Sequence, residues 1–305
     1  MDSENLIPWI ALTLLCRADT RAAWRVVRRS RELDLDLTDF FEMDADRRIA
    51  QFQDEVVEAI LDNDIEEVWE RAADAAPRMD ENDVTVVRVI DDIYPRRFID
   101  VAADAVPPVL YVAGDPGVLN RPALGIVGSR NATAEGLEYA WSLARTAVDR
   151  GLVVVSGGAS GIDSAAHRGA VDADGTTIVT LPHGIDADAS RRLIDKYPDN
   201  VTLVSQFPPG QRPAAETALA RNRTIAGLSG AVVAVESGIV SGTMSTARHA
   251  RRLSVPLFAV QWNDDLAAHQ GTAKLLDTGA APIPSQICLE DVFDSLFDVI
   301  STEPV

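Results

Sequence analysis

The chain contains few of the residues that build metal sites or disulfide scaffolds. Its 305 residues include 2 cysteines, Cys16 and Cys288, and 4 histidines. None of them shows the close spacing of a zinc motif, and two distant cysteines form no disulfide framework. We therefore expect no metal site and a reducing compartment.

Long hydrophobic runs are also missing. The longest early apolar run, 6–16, is too short to span a bilayer, and it follows Asp2 and Glu4 instead of the basic residues of a signal peptide. We expect no membrane anchor and a cytoplasmic location.

Positive charge is scarce, and lysine accounts for very little of it. Lys plus Arg is 28 against 47 for Asp plus Glu, which gives a net charge of −19, and only Lys196 and Lys274 are lysines. The acid excess has two open interpretations, an exposed acidic coat suited to a salt-rich cytoplasm or a compositional drift from lysine to arginine. In either case the charge disfavours a protein that coats a polyanion over its whole surface, so any nucleic-acid site must be local.

The hydrophobic pattern predicts an α/β fold in three parts. Apolar residues recur at helical spacing over 1–83, which predicts a small helical N-terminal domain. From residue 84 to 285, short apolar runs bounded by turn residues alternate with helical stretches. This alternation predicts a doubly wound, mostly parallel sheet, a Rossmann-like core. The predicted strands after residue 122 lie at 124–127, 152–155, 177–181, 201–204, 231–235 and 255–260. Residues 286–305 are predicted to form a C-terminal helix and tail.

Three of the predicted strands run into short loops rich in glycine and serine, each followed by a helix. The loop residues of interest are Gly128, Ser129 and Arg130, then Ser156, Gly157, Gly158 and Gly161, and finally Ser241, Gly242 and Thr243. Because the carboxyl ends of parallel strands share one edge of the sheet, these loops should lie together. Glycine lets the backbone approach a ligand, and helix N-termini attract anions. The three loops predict a cradle for phosphate groups.

A reversal of charge marks a second candidate region. The segment 201–260 contains six arginines and two acids, a balance of +4 in a chain of −19. Arg221, Asn222 and Arg223 lie in it, on a helix predicted over 216–228. Their guanidinium groups suit bidentate contacts to phosphates, whereas the structural alternative is that they pair with acids elsewhere in the fold.

Two acidic residues near the loops have more than one interpretation. Asp163 can cap the helix after the second loop, with His167 buried one turn further on, or it can help to hold the ligand. Glu236, at the end of the fifth strand, can act as a base or bond the neighbouring backbone. The sequence lacks the dinucleotide-binding, P-loop, nucleophile-elbow and HExxH motifs, so we predict no catalytic residue and no cofactor.

At these residues the sequence resembles the DprA/Smf family of DNA-processing proteins over about residues 84–283. The matching segments are YP (94–95), PPVLYVAG (107–114), GIVGSR (125–130), SGGASGID (156–163), AHRGA (166–170), RNRTIAGLS (221–229), VE (235–236), SGT (241–243) and TA (246–247). The resemblance implies a modified Rossmann core that binds single-stranded DNA, forms a homodimer and helps to load a RecA-type recombinase. Ser160 stands where the family usually has arginine, and Ala218-Leu219 where it has Phe-Pro, so the resemblance also implies weakened DNA binding.

The leading hypothesis is therefore a cytoplasmic, non-enzymatic protein that binds single-stranded DNA and presents it to a recombinase. One rival is a small-nucleotide sensor or nucleotide-processing enzyme on the same core, which Ser160 and Ala218 favour because they reduce a strand-binding surface without changing the glycine cradle. Another is a protein-interaction module that has lost its ligand.

Overall fold

The computed structural model describes residues 3–17, 19–99, 106–185, 200–264, 266–285 and 300. Helices form the first part of the chain. After a short 3-10 helix (Ser3–Leu6) come α1 (Ile7–Cys16), α2 (Thr20–Glu32), α3 (Leu37–Glu42), α4 (Ala45–Gln51), α5 (Glu55–Leu61) and α6 (Ile65–Glu81). None of the described helices is long and apolar enough to cross a membrane.

Strands and helices alternate after α6. The first elements are β1 (Val84–Arg88), α7 (Arg96–Ile99), β2 (Val109–Ala113), a 3-10 helix (Pro116–Asn120), β3 (Ala123–Gly128), α8 (Ala134–Asp149), β4 (Val153–Gly157) and α9 (Ile162–Asp172). The later ones are β5 (Thr177–Leu181), β6 (Val201–Ser205), α10 (Ala215–Leu228), β7 (Ala231–Glu236), α11 (Gly242–Arg252), β8 (Leu257–Gln261), α12 (Gln270–Asp277) and β9 (Ala281–Pro284).

The strands form one sheet of nine in the order β1-β2-β6-β5-β4-β3-β7-β8-β9. Every neighbouring pair from β6 to β9 in this order is parallel, whereas β2 is antiparallel to both β6 and β1. The prediction of a doubly wound, mostly parallel α/β fold is confirmed. The order reverses at β3, which has β4 on one side and β7 on the other. Such a switch point opens a crevice at the carboxyl ends of the strands, where ligands bind.

The strands are continuous apolar runs because both faces of the sheet are covered. Residues of β3, β4 and β7 are buried in two cores, one on each face. The N-terminal helices cover β1, β2, β5 and β6, where Ile10 and Met79 share a core with Val86 and Leu203. The helical region ends at Glu81, next to the boundary predicted at 83/84, and it packs directly on the sheet.

The edge strand β9 is absent from the sequence-based prediction. It contains Pro282 and Pro284, and proline cannot donate to a strand ladder. The strand forms nevertheless because it lies at the edge of the sheet and pairs with β8 alone. The predicted C-terminal helix and tail, 286–305, fall outside the described residues except for residue 300.

Candidate functional site

A cleft of about 500 Å³ opens at the switch point between β3 and β7. Its walls are the loops after these two strands, the first turn of α9, the inner face of α10 and the first turn of α11. The predicted residues that line it are Gly128, Ser129, Arg130, Asp163, Arg221, Asn222, Ser241, Gly242 and Thr243. Residues from four separate stretches of sequence therefore meet at one place, as the shared edge of the sheet predicts.

The loop after β3 is fixed by backbone hydrogen bonds on both sides. The N–H of Ser129 donates to the carbonyl of Glu236 at 2.8 Å, and the N–H of Ile162 donates to the carbonyl of Ser129 at 3.1 Å. Gly161 has a φ of +78°, and a Cβ on it would collide with the Ser129 carbonyl oxygen. Glycine at this position thus lets the β3 loop and the start of α9 meet at the edge of the cleft.

A buried carboxylate lies beside the buried arginine of the cleft. Asp163 is 7% exposed and Arg221 is 6% exposed. A Cβ on Gly157 would lie 2.6 Å from both the Arg221 guanidinium and an Asp163 oxygen, so only glycine leaves room for the pair. Arg221 also donates from Nη1 to the carbonyl of Thr180. These contacts orient a guanidinium group that lines the cleft.

Burial and the attraction between the two charges shift the pKa values of this pair in opposite directions. Burial raises the pKa of Asp163, and the Arg221 charge is the largest effect that opposes the rise. Burial likewise lowers the pKa of Arg221, and Asp163 opposes that change. Of the two interpretations of Asp163, the N-cap is wrong, because α9 begins at Ile162 after Gly161, so Asp163 lies within the first turn.

A second arginine reaches the same cleft from the β3 loop. Arg130 is exposed and lines the cleft. It lies close enough to Arg221 for its charge to lower the pKa of Arg221. Two guanidinium groups of like charge therefore converge on one opening, which is an arrangement that an anion would stabilise.

The N-terminus of α11 forms the opposite wall. The Ser241 hydroxyl accepts a hydrogen bond from the N–H of Met244 at 3.3 Å and pairs with the Ser237 hydroxyl at 2.8 Å. Asn222 donates from Nδ2 to the carbonyl of Gly242 at 3.2 Å, which joins α10 to α11 at the cleft. The first N–H groups of a helix have no partner within the helix, and together with the helix dipole they attract anions.

Several predicted residues lie beneath or beside the cleft. Ser156 is fully buried and donates to the carbonyl of Ile126 at 2.6 Å, and Gly157 lies below the Asp163–Arg221 pair. Gly158 is exposed near Val179. Gly161 lines a neighbouring groove between α8 and α9 instead of the cleft itself. These residues shape the site and do not line the cleft.

Arg223 is the clearest departure from the predicted site. Its guanidinium donates to the carbonyl of Ala220 and to the hydroxyl of Thr20 at the start of α2. Residues two apart on an α-helix project to nearly opposite sides, so Arg221 and Arg223 cannot face one cleft. The structure does not place Arg223 with the phosphate cradle.

The buried Glu236 carboxylate holds the backbone at the start of α8. Its carboxylate accepts hydrogen bonds from the Thr133 N–H at 3.1 Å and from the Thr133 hydroxyl at 2.8 Å. Thr133 is the N-cap of α8, so Glu236 ties β7 to the start of that helix. This matches the backbone-bonding interpretation of Glu236.

His167 holds the second glycine loop, with its Nε2 2.7 Å from the Gly157 carbonyl and its Nδ1 2.7 Å from the Thr177 hydroxyl. Burial lowers the pKa of His167 from 6.5 to about 4. Since the folded pKa lies below the unfolded one, the stability that neutral His167 contributes is present above pH 6.5 and is lost as pH falls toward 4. We expect His167→Gln to flatten this part of the acid-unfolding curve, measured by chemical denaturation at a series of pH values. An unchanged curve would contradict this role.

The resemblance had already singled out Ala218 and Leu219, whereas the other apolar residues near the cleft were missed from the sequence. Ala218, Leu219 and Ile225 form a wall on α10. Leu219 is 50% exposed, and Val240, in the loop after β7, is 97% exposed. The available sequence signal was Val240, a valine inside a loop of glycine and serine. We call Ala218, Leu219 and Val240 the apolar rim.

Sequence comparisons connect the chain with known proteins. The family model for DNA recombination-mediator protein A matches residues 85–296. A protein of Mycobacterium tuberculosis that carries the DprA name is 39% identical over 180 residues, 57% of this chain and 46% of that protein. The aligned part of the chain spans about half the length of this curated relative.

Two solved structures share the fold. DNA processing protein A from Streptococcus pneumoniae superposes with a TM-score of 0.72 at 25% identity, covering 88% of this chain and 92% of that one. The Helicobacter pylori protein, whose structure was described for its single-stranded DNA binding mode, gives 0.60 at 29% identity over 70% of this chain and 96% of that one. With the family match over more than half of its length, the chain belongs to the DNA recombination-mediator protein A family.

Proposed function

We propose that the cleft binds the phosphate backbone of single-stranded DNA and that the protein acts by presenting the strand, without catalysing a reaction. The observation that carries the proposal is the convergence of Arg130 and Arg221 on one cleft with the N-terminus of α11. Guanidinium groups and free backbone N–H groups are the usual contacts to phosphates. The described single-stranded DNA binding of the Helicobacter pylori relative supports the same reading.

The apolar rim suits the bases of a single strand. Unpaired bases expose flat apolar faces, and proteins that bind single strands place apolar or aromatic side chains against them. Ala218 and Leu219 offer such contact on α10. Val240, which is 97% exposed, lies between Gly238 and Ser241, and both of these residues line the cleft. Phosphates at the arginines and bases at the rim would then be bound together.

The resemblance extends the proposal to partners. We propose a homodimer that hands the bound strand to a RecA-type recombinase in the cytoplasm. The test is whether this protein stimulates the loading of a purified recombinase onto single-stranded DNA, and whether mutation of the cleft abolishes that stimulation. A stimulation that survives loss of DNA binding by the cleft would contradict it.

A small nucleotide is the rival ligand, because a cleft of about 500 Å³ also has the size of a small-molecule pocket. Fluorescence anisotropy of a labelled oligo-dT strand, with an unlabelled mononucleotide as competitor, separates the two. Single-strand binding that excess mononucleotide does not displace supports the proposal. Tight mononucleotide binding with no binding of the strand would replace it with the rival.

We expect the affinity for single-stranded DNA to rise when an aromatic ring is placed at position 218, where the DprA/Smf family usually has phenylalanine. Ala218 lies partly buried in the cleft wall, and Ala218→Phe would place an aromatic ring beside the strand. Stacking on a ring contributes about 1 to 3 kcal/mol per base, so oligo-dT binding should tighten by about tenfold or more. Ala218→Leu, an apolar residue without a ring, is the matched control. Equal affinity of the two variants would contradict base stacking at this position.

A further inference from the structure

A second concentration of arginine lies on the N-terminal helices. Helix α2 contains five arginines and one acid, Glu32, within a chain of net charge −19. Its apolar residues are buried, and Arg21, Arg25 and Arg28 are exposed. Residues three and four apart share one side of a helix, so these three form an outward stripe.

Part of this charge is already neutralised. Arg25 forms an ion pair with Asp54, and Arg29 pairs with Glu32 at 2.9 Å. Arg21 has no acidic partner in the described part of the chain. The same holds for Arg248 and Arg252 on α11, which are both exposed. Unpaired exposed arginines in a strongly acidic protein are available for an anionic partner.

Arg223 connects the two groups of arginines. Its guanidinium bonds to Thr20 at the start of α2, where Asp19 caps the helix through the N–H groups of Arg21 and Ala22. Burial is the largest cause that lowers the pKa of Arg223, and the charges of Arg252 and Arg21 lower it further, so both arginines lie near Arg223. Asp19 is the acid that offsets part of this charge.

The positive charge of these arginines also acts on a histidine of α11. Burial, together with the charges of Arg223, Arg248 and Arg252, lowers the pKa of His249 from 6.5 to about 4. His249 is therefore neutral at physiological pH, and it adds no charge of its own. We call Arg21, Arg223, Arg248 and Arg252 the arginine surface.

The arginine surface adjoins the cleft. Helices α10 and α11 pack side by side, and both contribute residues to the cleft. Arg223 lies one turn beyond Leu219 on α10, and Arg252 lies nine residues beyond Thr243, or about 14 Å along α11. A strand that leaves the cleft over the outer faces of α10 and α11 would meet these arginines within a few nucleotides.

We propose that the arginine surface is a second contact for single-stranded DNA. The surface binds the phosphates of the strand where the strand leaves the cleft and runs toward α2. This inference rests on the proposed function of the cleft. It assigns to the helical N-terminal region a direct part in binding the strand.

The test compares a short and a long strand. Labelled oligo-dT of about 5 nucleotides fills the cleft alone, whereas about 25 nucleotides can also reach the arginine surface. The variant replaces Arg21, Arg248 and Arg252 with alanine. Its matched control replaces Arg96, Arg121 and Arg150, which lie at the opposite, amino edge of the sheet, where Arg121 precedes β3 and Arg150 precedes β4. Circular dichroism and unfolding temperature check that both variants fold.

We expect the variant to bind the short strand like the wild type and to bind the long strand about tenfold more weakly, with a salt slope smaller by about 2. The control should bind both strands like the wild type. If the variant and the control bind the long strand equally well, the proposal is overturned and the cleft is unaffected. If the wild type binds neither strand, the function proposed for the cleft fails, and this proposal fails with it.

Discussion

Arg221→Met is expected to lower the free energy of unfolding by about 3 to 5 kcal/mol near neutral pH, because it leaves the buried charge of Asp163 without its partner. Methionine keeps most of the volume of the arginine stem, so the loss reports the charge and its hydrogen bonds. The carboxylate is enclosed by the protein, and burial already raises its pKa.

The loss should depend on pH in a defined direction. A carboxyl group whose folded pKa is raised above the unfolded value stabilises the fold below the unfolded pKa, and that contribution disappears as pH rises through the folded pKa. Removal of Arg221 raises the folded pKa of Asp163 further. The free energy of unfolding of the Arg221→Met variant should therefore be close to that of the wild type near pH 4, and the difference between them should be largest at neutral pH.

A double-mutant cycle makes this prediction specific to the pair. Asp163→Asn alone leaves a buried arginine unpaired, and it should also destabilise the protein. The double variant Asp163→Asn, Arg221→Met removes both charges and should be more stable than the sum of the two losses implies. Strictly additive losses would contradict a direct interaction between these side chains.

Arg130→Glu is expected to weaken oligo-dT binding by about a hundredfold while the unfolding temperature stays unchanged. Arg130 is exposed at the mouth of the cleft, so its replacement disturbs no core packing. Loss of a charge-assisted hydrogen bond costs about 1.5 to 3 kcal/mol, and the new negative charge adds repulsion of the phosphates. The weakening should shrink as salt screens the charges.

The matched control is Arg121→Glu. It makes the same change in net charge at the opposite edge of the sheet, where Arg121 donates to the Thr176 hydroxyl at 3.3 Å. We expect only a small loss of affinity in this variant. Equal losses in the two variants would show that net charge, and not a local contact at the cleft, governs binding.

The sheet and the place of the cleft could be predicted because both follow from local patterns. Continuous apolar runs such as 177–181 and 231–235 have the composition of strands buried on both faces, and the glycine loops that follow strands mark the carboxyl edge. The edge strand β9 escaped because its two prolines argue against a strand wherever the edge position is unknown.

The sequence was less informative about where individual side chains point. Arg221 and Arg223 stand two residues apart in one motif, yet helical geometry sends them to opposite sides of α10, one to the cleft and one to α2. The partnership of Arg221 with Asp163 joins residues far apart in sequence, and it became visible only when α9 and α10 were placed on the sheet. The contact between Arg223 and Thr20 spans 203 residues for the same reason.

The central claim is that Arg221 in the cleft holds single-stranded DNA. Its most direct test is the affinity of the Asp163→Asn, Arg221→Met protein for labelled oligo-dT, measured by fluorescence anisotropy across a salt series beside the wild type. We expect micromolar or tighter binding by the wild type and a loss of about a hundredfold in the folded double variant, with a smaller salt slope. Equal affinity and equal salt slope in the two proteins would contradict the claim.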